Sequence, residues 1–502
     1  VRNRSRIRLW GESTAARCGD HRASNPSVSG PGDPVEHGQG GLSPQTMRTW
    51  ITVAAVVTGA AMVLTYVLAF GVDVPINDDW DLLEASLAWH ENGIDLKRLV
   101  APHNEHCLAI SRLSTHTILA ATHGSFRTVL VGNALLAVAA IGVLAGYIRR
   151  WPLAAGPLAA VALAISLLVT SWCQWQNWLW SFQTPWFLLP LVVTIGGVAT
   201  ARLASPGAAV AVAGLMAILA VFCQANGRLV SLALVPAVIL RLRTEPRREA
   251  VIAGTIYAVL GVTALAVGSS FLGRGPDAGG SARLLAAPLE AVRCLLAVLG
   301  SPLDPQGTFA GRQTVAAVFG GVSLMLGCVA ALVGLRQAPA RARELGPAFA
   351  LMAYGLGSVA AVVLGRMAMI STGPVESRYQ TLAISWHVGT LLCCGWLAAG
   401  RVSDRPWEPA GAAADLRSRQ GWQFVTVAAS VACLVVTLTA LPLFLAHGRN
   451  MQAALEGQRE IYLRANLPGG REALAGIAAH YGPDRLAKNL DRMEQAGLLP
   501  RR

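Results

Sequence analysis

The chain reads as an all-α, polytopic membrane protein with about eleven transmembrane helices and a long first loop bearing surface helices. Three observations carry that reading. Of 502 residues, 53% are hydrophobic and 14% charged, with mean hydropathy +0.47, and a charged share well below the usual quarter marks a membrane protein. Apolar runs of bilayer length recur along most of the chain. Arginines gather in the short links between those runs, as topology demands.

The formal net charge of +13 would suit nucleic acid, but its placement in an N-terminal tail and in inter-span links reports membrane topology instead. No nucleic-acid signature accompanies it. The nine cysteines are scattered, without a CxxC pair or metal-ligand spacing, so they read as small apolar packing residues. Cys107, Cys173 and Cys223 fall on one predicted side, where a disulfide could form.

Residues 1–46 are rich in Arg, Gly, Ser and Pro and cannot bury a core of their own. They are expected to form a disordered tail. Because Met47 directly precedes the first apolar run, the tail is also expected to lie upstream of the native start.

The runs fall near 48–71, 127–148, 151–171, 185–204, 207–223, 227–242, 250–271, 314–335, 346–370, 378–400 and 422–446. Residues 284–303 are apolar but interrupted by Pro288, Glu290 and Arg293, which suits an interfacial or half-buried helix. With eleven spans, the basic links Arg149-Arg150, Arg202, Arg241 to Arg248, Arg336 to Arg343 and Arg401 to Arg419 all face the cytoplasm. The expected organisation is a membrane domain over 47–446, with a first outer loop at 72–126, and a small helical extracytoplasmic segment over 447–502. The expected location is the cytoplasmic (inner) membrane.

This topology collects the unusual polar sequence on the outer side. The first loop, about 55 residues, carries eight of the 28 acids, and loops of that length are generally functional. In "NDDWDLL" the apolar positions from Trp80 to Trp89 predict a short helix lying on the membrane, with Asp78 or Asp79 near its N-terminus. One Asp would serve as a helix cap. Two adjacent acids repel, so one pKa should rise toward the range of a general base, or the pair should hold a cation. Asp81 fits a first-turn dipole role.

"HNEH" sets His103, Asn104, Glu105 and His106 within one predicted turn. Histidines at i and i+3 share a helix face and could ligate a metal with a nearby carboxylate. The alternatives are a hold on an acceptor hydroxyl or phosphate, and plain loop structure.

"WCQWQNWLWSFQTPW" packs five of fourteen tryptophans into fifteen residues. An interfacial aromatic belt accounts for single tryptophans. Indoles such as Trp175 and Trp178 interleaved with Gln174, Gln176, Asn177 and Gln183 also suit a sugar, which needs aromatic faces and amides together. Arg228, Arg366 and Arg378 stand at outer ends of spans. Snorkelling would explain each alone, whereas three on the acidic side suggest phosphate partners. Arg378 with Tyr379 is the leading pair, and a Glu376–Arg378 ion pair is the competing structural account. Beyond His447, two amphipathic stretches separated by Pro-Gly-Gly could cap the outer opening or remain solvated.

An acid pair after the first span, a long first loop and a late Arg-Tyr pair together resemble the GT-C superfamily of membrane glycosyltransferases. That group includes protein O-mannosyltransferases, aminoarabinose transferases and actinobacterial arabinosyltransferases. The chain is especially similar to bacterial polytopic proteins carrying NDDW, HNEH and SRY segments. The resemblance implies a polyprenyl-phosphate sugar donor, an acceptor hydroxyl on lipid, glycan or protein, and inverting hexosyl or pentosyl transfer at the envelope. It implies Asp78 or Asp79 as the base and Arg378 as the phosphate clamp. The second acidic motif of many members is absent here, since 172–186 has no carboxylate and Asp277 stands alone. A divalent cation therefore stays an open cofactor. Two other classes remain: a transporter or flippase of lipid-linked sugars, which should carry midplane charges and similar halves, and a non-catalytic envelope assembly protein.

Overall fold

The computed structural model describes residues 43–104, 106–271, 285–304, 313–337, 339–400, 409–464, 474 and 483–497. In chain order its helices are α1 (Pro44–Phe70), α2 (Asp79–Asn92), α3 (Leu96–Val100), α4 (Ala109–Ala121), α5 (Phe126–Ile148), α6 (Ala155–Val169), α7 (Trp175–Leu179), α8 (Thr184–Arg202) and α9 (Pro206–Val221). They continue as α10 (Arg228–Ala233), α11 (Val235–Leu242), α12 (Arg247–Ser270), α13 (Pro288–Gly300), α14 (Gln313–Gln337), α15 (Gly346–Thr372), α16 (Gln380–Ala399), α17 (Pro409–Leu463) and α18 (Pro483–Gln495). A two-stranded hairpin, β1 (Pro102–His103) and β2 (His106–Cys107), lies in the first loop.

Every predicted apolar run is helical. Among the described residues, ten helical stretches are long and apolar enough to cross a membrane, with Ala155–Leu179 and Ala225–Leu242 each running through two of the helices above, and α9 is a shorter apolar helix. The protein is a multi-pass membrane protein. Helix α13 has 13 residues, about 20 Å at helical rise and too short for a span. It buries Ala291, Cys294, Ala297 and Val298 while exposing Leu289 and Val292, as expected for 284–303. Its last turn packs closely on α14: a Cβ at Gly300 would stand 1.8 Å from the Ala316 carbonyl oxygen. The ring of His387 meets the Leu299 carbonyl at 2.8 Å, which closes an otherwise open helix end.

Helix α16 is buried over its full length and packs against α6, α8, α13, α14, α15 and α17. Such an all-round apolar helix belongs at the centre of a bundle. Polar contacts then sort to two ends. At one, Tyr147 donates to the Glu344 carbonyl, Arg202 to the Tyr147 carbonyl at 3.2 Å and Arg341 to the Gly400 carbonyl at 3.0 Å. These are the basic links. At the other end, the first loop meets the 172–183 and 222–225 segments, and 172–183 in turn holds 376–381, so the polar motifs do share one end.

Two expected boundaries shift, and one helix lies elsewhere than expected. Helix α1 opens at Pro44, inside the expected tail, of which residues 1–42 lie outside the described residues. The break at His447 falls within α17, which runs on to Leu463, because nothing between 443 and 463 interrupts helical sequence. Helix α2 is not a surface helix: Trp80, Leu83 and Leu87 pack with Leu119, Phe126 and Val129 and with Leu486, Leu490 and Met493 of α18. Its opposite face sets Leu82 against Leu108, Trp180 and Phe182. Apolar residues around the whole helix require cover on both sides.

Candidate functional site

The acid-bearing turn is shaped by Asn77, whose φ of 45° lies in the left-handed region that Asn tolerates. Asp78 then sits at the N-cap of α2 but makes no side-chain cap bond, so helix capping does not account for it. It is half-buried. Asp79 is fully buried. One of its oxygens accepts from the Ile76 amide at 3.0 Å and the other from the Ser181 hydroxyl at 2.5 Å.

Burial lifts the Asp79 carboxyl to about 7, against the pull of the Ser181 and Ile76 bonds; the neighbouring Asp78 charge adds a smaller push. One acid of the pair is raised as expected. The chief cause is desolvation rather than repulsion between the two.

Four residues, Trp180 to Gln183, form the hub of the site. The Trp180 indole donates to the Ile76 carbonyl at 3.1 Å, and its ring stacks on Phe182 at 5.7 Å. Phe182 lies 5.5 Å from the His103 ring. On the other side, the Arg378 guanidinium stands 5.9 Å from the Trp180 ring centroid and 5.3 Å from that of Tyr379. Asn133 of α5 donates to the Ser181 carbonyl at 3.3 Å, anchoring the hub to the bundle. Acid turn, hairpin and Arg378 thus meet around one short turn. No spacing in the sequence singles out Trp180 or Ser181 for this role.

The interleaved amides serve a different end from the expected sugar cradle. Gln176 accepts from the Arg378 amide at 3.1 Å and from the Ser377 hydroxyl at 3.2 Å. Asn177 donates to the Arg378 carbonyl at 3.0 Å and to Thr381 at 2.6 Å, and Thr381 donates to Gln174. These bonds hold the Ser377–Tyr379 turn, because buried backbone groups need partners.

For Trp178 the sugar-binding expectation is corrected. It is fully buried, stacked on Phe187 at 4.2 Å, and its indole donates to the Ser171 carbonyl at 2.9 Å, which leaves no face for a sugar. Trp175 is half-buried with its ring 4.1 Å from His447 of α17. The competing Glu376–Arg378 ion pair is present, and Arg378 is held by it as well as by the two aromatic rings. Tyr379 is buried.

The expected helical HxxH is replaced by a hairpin. His103 and His106 are register partners, because Asn104 at the tip takes a φ of 52° that no right-handed helix admits. The two rings part company. His106 Nδ1 accepts from the Ala225 amide at 3.2 Å, tying the hairpin to the "QANGR" turn, while His103 Nδ1 lies 3.4 Å from Asp81. Asn104 is exposed. Glu105 lies outside the described residues, as does Asp277.

Asp78, Asp81 and His103 each offer a ligand atom, all within 4.8 Å of one another. Two carboxylates and an imidazole suit a hard or borderline divalent cation, and His103 Nε2 is buried without a hydrogen-bond partner. The residues present fit such an ion. Arg228 opens α10 on the far side of the hairpin, donating to the Ala225 carbonyl at 3.1 Å. Arg366 is exposed on α15.

No family model matches the chain, and no curated protein matches it. Among solved structures, the chain is similar to the archaeal oligosaccharyltransferase AglB from Archaeoglobus fulgidus, whose structure is a complex with an inhibitory peptide and a dolichol-phosphate. Identity is 13% and the TM-score 0.41, over 87% of this chain. The chain spans 60% of that enzyme's length.

Proposed function

We propose that the protein is a glycosyltransferase that moves a sugar from a polyprenyl-phosphate donor to an acceptor hydroxyl at the extracytoplasmic face of the inner membrane. One observation carries the reading: Asp79 and Arg378, about 300 residues apart, are both held against the turn at Trp180 and Ser181. Asp78, on the turn that Asp79 fastens, is then the proton acceptor at the same end of the bundle as the Arg378 anion clamp.

In this reading Asp78 takes the proton of the acceptor hydroxyl as that oxygen attacks the anomeric carbon. The bond to the donor phosphate breaks, the configuration inverts, and the polyprenyl phosphate leaves with its own negative charge. Arg378 receives that charge. Its guanidinium suits a phosphate, with the Tyr379 hydroxyl alongside and Arg366 and Arg228 as further cations on the same end. Asp79 is a positioning residue: both its oxygens are spent on Ile76 and Ser181, so it sets the turn that presents Asp78. The hairpin at His103, Asn104 and His106, with Trp175 and Gln176, borders the approach of the acceptor. A divalent cation held by Asp78, Asp81 and His103 would supply a Lewis acid for the departing phosphate.

The test is mass spectrometry of lipid-linked sugars and envelope glycans in cells lacking the protein. Wild type should restore the missing glycan and Asp78→Asn should not, at equal protein abundance. Full rescue by Asp78→Asn and by Arg378→Gln would overturn the assignment.

A further inference from the structure

The Asp81 carboxylate is shared. One oxygen lies 3.4 Å from His103 Nδ1 and the other 3.0 Å from Arg485 Nη2, a residue of the C-terminal helix α18. Arg485 also binds Glu84 at 3.1 Å through Nε. The guanidinium is 44% exposed and Asp81 28% exposed, so the pair sits at the rim, where partners can exchange. The rest of α18 is fastened differently. Leu486, Leu490 and Met493 are buried against α2, and Arg492 pairs with Glu91 at 2.7 Å.

A cation bound among Asp78, Asp81 and His103 would therefore stand one carboxylate away from a fixed positive charge. Like charges across a shared carboxylate repel, and at the rim the screening is only partial. We infer that Arg485 and a divalent cation bind the acid turn antagonistically, so that the C-terminal helix is a latch whose hold on α2 weakens when the cation site fills. Linkage makes the effect reciprocal: whatever Arg485 subtracts from cation affinity, the bound cation subtracts from the Arg485 contact. The inference stands apart from the sugar-transfer reading, since it concerns only a cation and two elements of this chain.

The chemistry bounds the ion. Two carboxylates and one imidazole on a half-buried turn suit Mn2+ or Mg2+, with water completing the shell, rather than a thiolate-seeking metal.

The experiment is Mn2+ binding to the purified full-length protein in nanodiscs, read by electron paramagnetic resonance of the free ion. Wild type should show one site. Asp78→Asn and His103→Ala should weaken it at least tenfold. Arg485→Gln should tighten it by roughly tenfold, the scale of a nearby unit charge in a partly solvated site, and Arg485→Lys should bind as wild type does because the charge is kept. In parallel, hydrogen exchange across Leu486–Met493 should quicken at saturating Mn2+ in wild type and stay unchanged in Asp81→Asn. Unaltered Mn2+ affinity in Asp78→Asn and His103→Ala would overturn the site. Unaltered or weaker affinity in Arg485→Gln, with the site otherwise present, would overturn the latch.

Discussion

Asp79 and Ser181, 102 residues apart, share a 2.5 Å hydrogen bond in which the hydroxyl donates to a fully buried carboxylate. That contact joins the acid turn to the hub that also carries Trp180 beside Arg378. Removing either partner leaves a buried polar group unpaired, at a cost of about 1–3 kcal/mol. Ser181→Ala should therefore lower the melting temperature of the purified protein and reduce function more than its distance from any reacting group suggests.

The Asp79 carboxyl has a pH signature. Its folded pKa is raised from 3.8 to about 7, so the folded state holds a proton that the unfolded state has released. Stability contributed by the neutral form is present below about 4 and declines as pH rises through about 7. Relative to Asp79→Asn, which cannot ionise, wild type should be more stable at pH 5 than at pH 8. The check is a pair of melting curves at each pH. A wild type that gains stability over the variant as pH rises would show the carboxylate to be the favoured form.

Trp178 and Trp175 should behave differently although three residues apart. Trp178 fills the core between Phe187 and Ser171, and truncation to Ala should cost about 3–5 kcal/mol. Trp175→Ala should cost less than that, since the ring is only half-buried, against the core and beside His447. Thermal unfolding in detergent distinguishes the two. Any effect of Trp175→Ala on the glycan profile at equal protein abundance would then report on substrate rather than on folding.

The attachment of α18 is apolar first and ionic second. Leu490→Ala removes a side chain buried against α2 and should cost about 2–4 kcal/mol of local stability. Arg492→Ala removes an ion pair whose Glu91 partner is 44% exposed, a class worth about 0–1 kcal/mol. Limited proteolysis should therefore release the C-terminal helix readily in Leu490→Ala and little more than wild type in Arg492→Ala.

Arg378 is held through its backbone by Gln176 and Asn177. Asn177→Ala leaves the Arg378 carbonyl and Thr381 without that donor, and should reduce glycan rescue through misplacement of the guanidinium. Arg378→Lys should reduce it further, because an ammonium cannot reproduce the planar fork of donors. The reverse order, with Asn177→Ala the more damaging, would assign Arg378 a purely structural part.

The sequence by itself determined the membrane class, the eleven apolar runs and the half-buried α13. Hydropathy and helix length are local properties, set by what a bilayer accepts. It also marked Asp78, Asp79, His103 and Arg378 as candidate site residues. Only the tertiary structure decided how they are placed and partnered. Asp79 is buried and Asp78 is not, because the chain turns left-handed at Asn77 and lays Ser181 over the second acid. His103 and His106 face different partners because Asn104 breaks any helix there. Gln176 and Asn177 of the tryptophan-rich segment engage the backbone of Arg378, since a buried turn 200 residues away needed its amide and carbonyl satisfied. Pairings of that range leave no periodic trace in the chain, and so local sequence carries no sign of them.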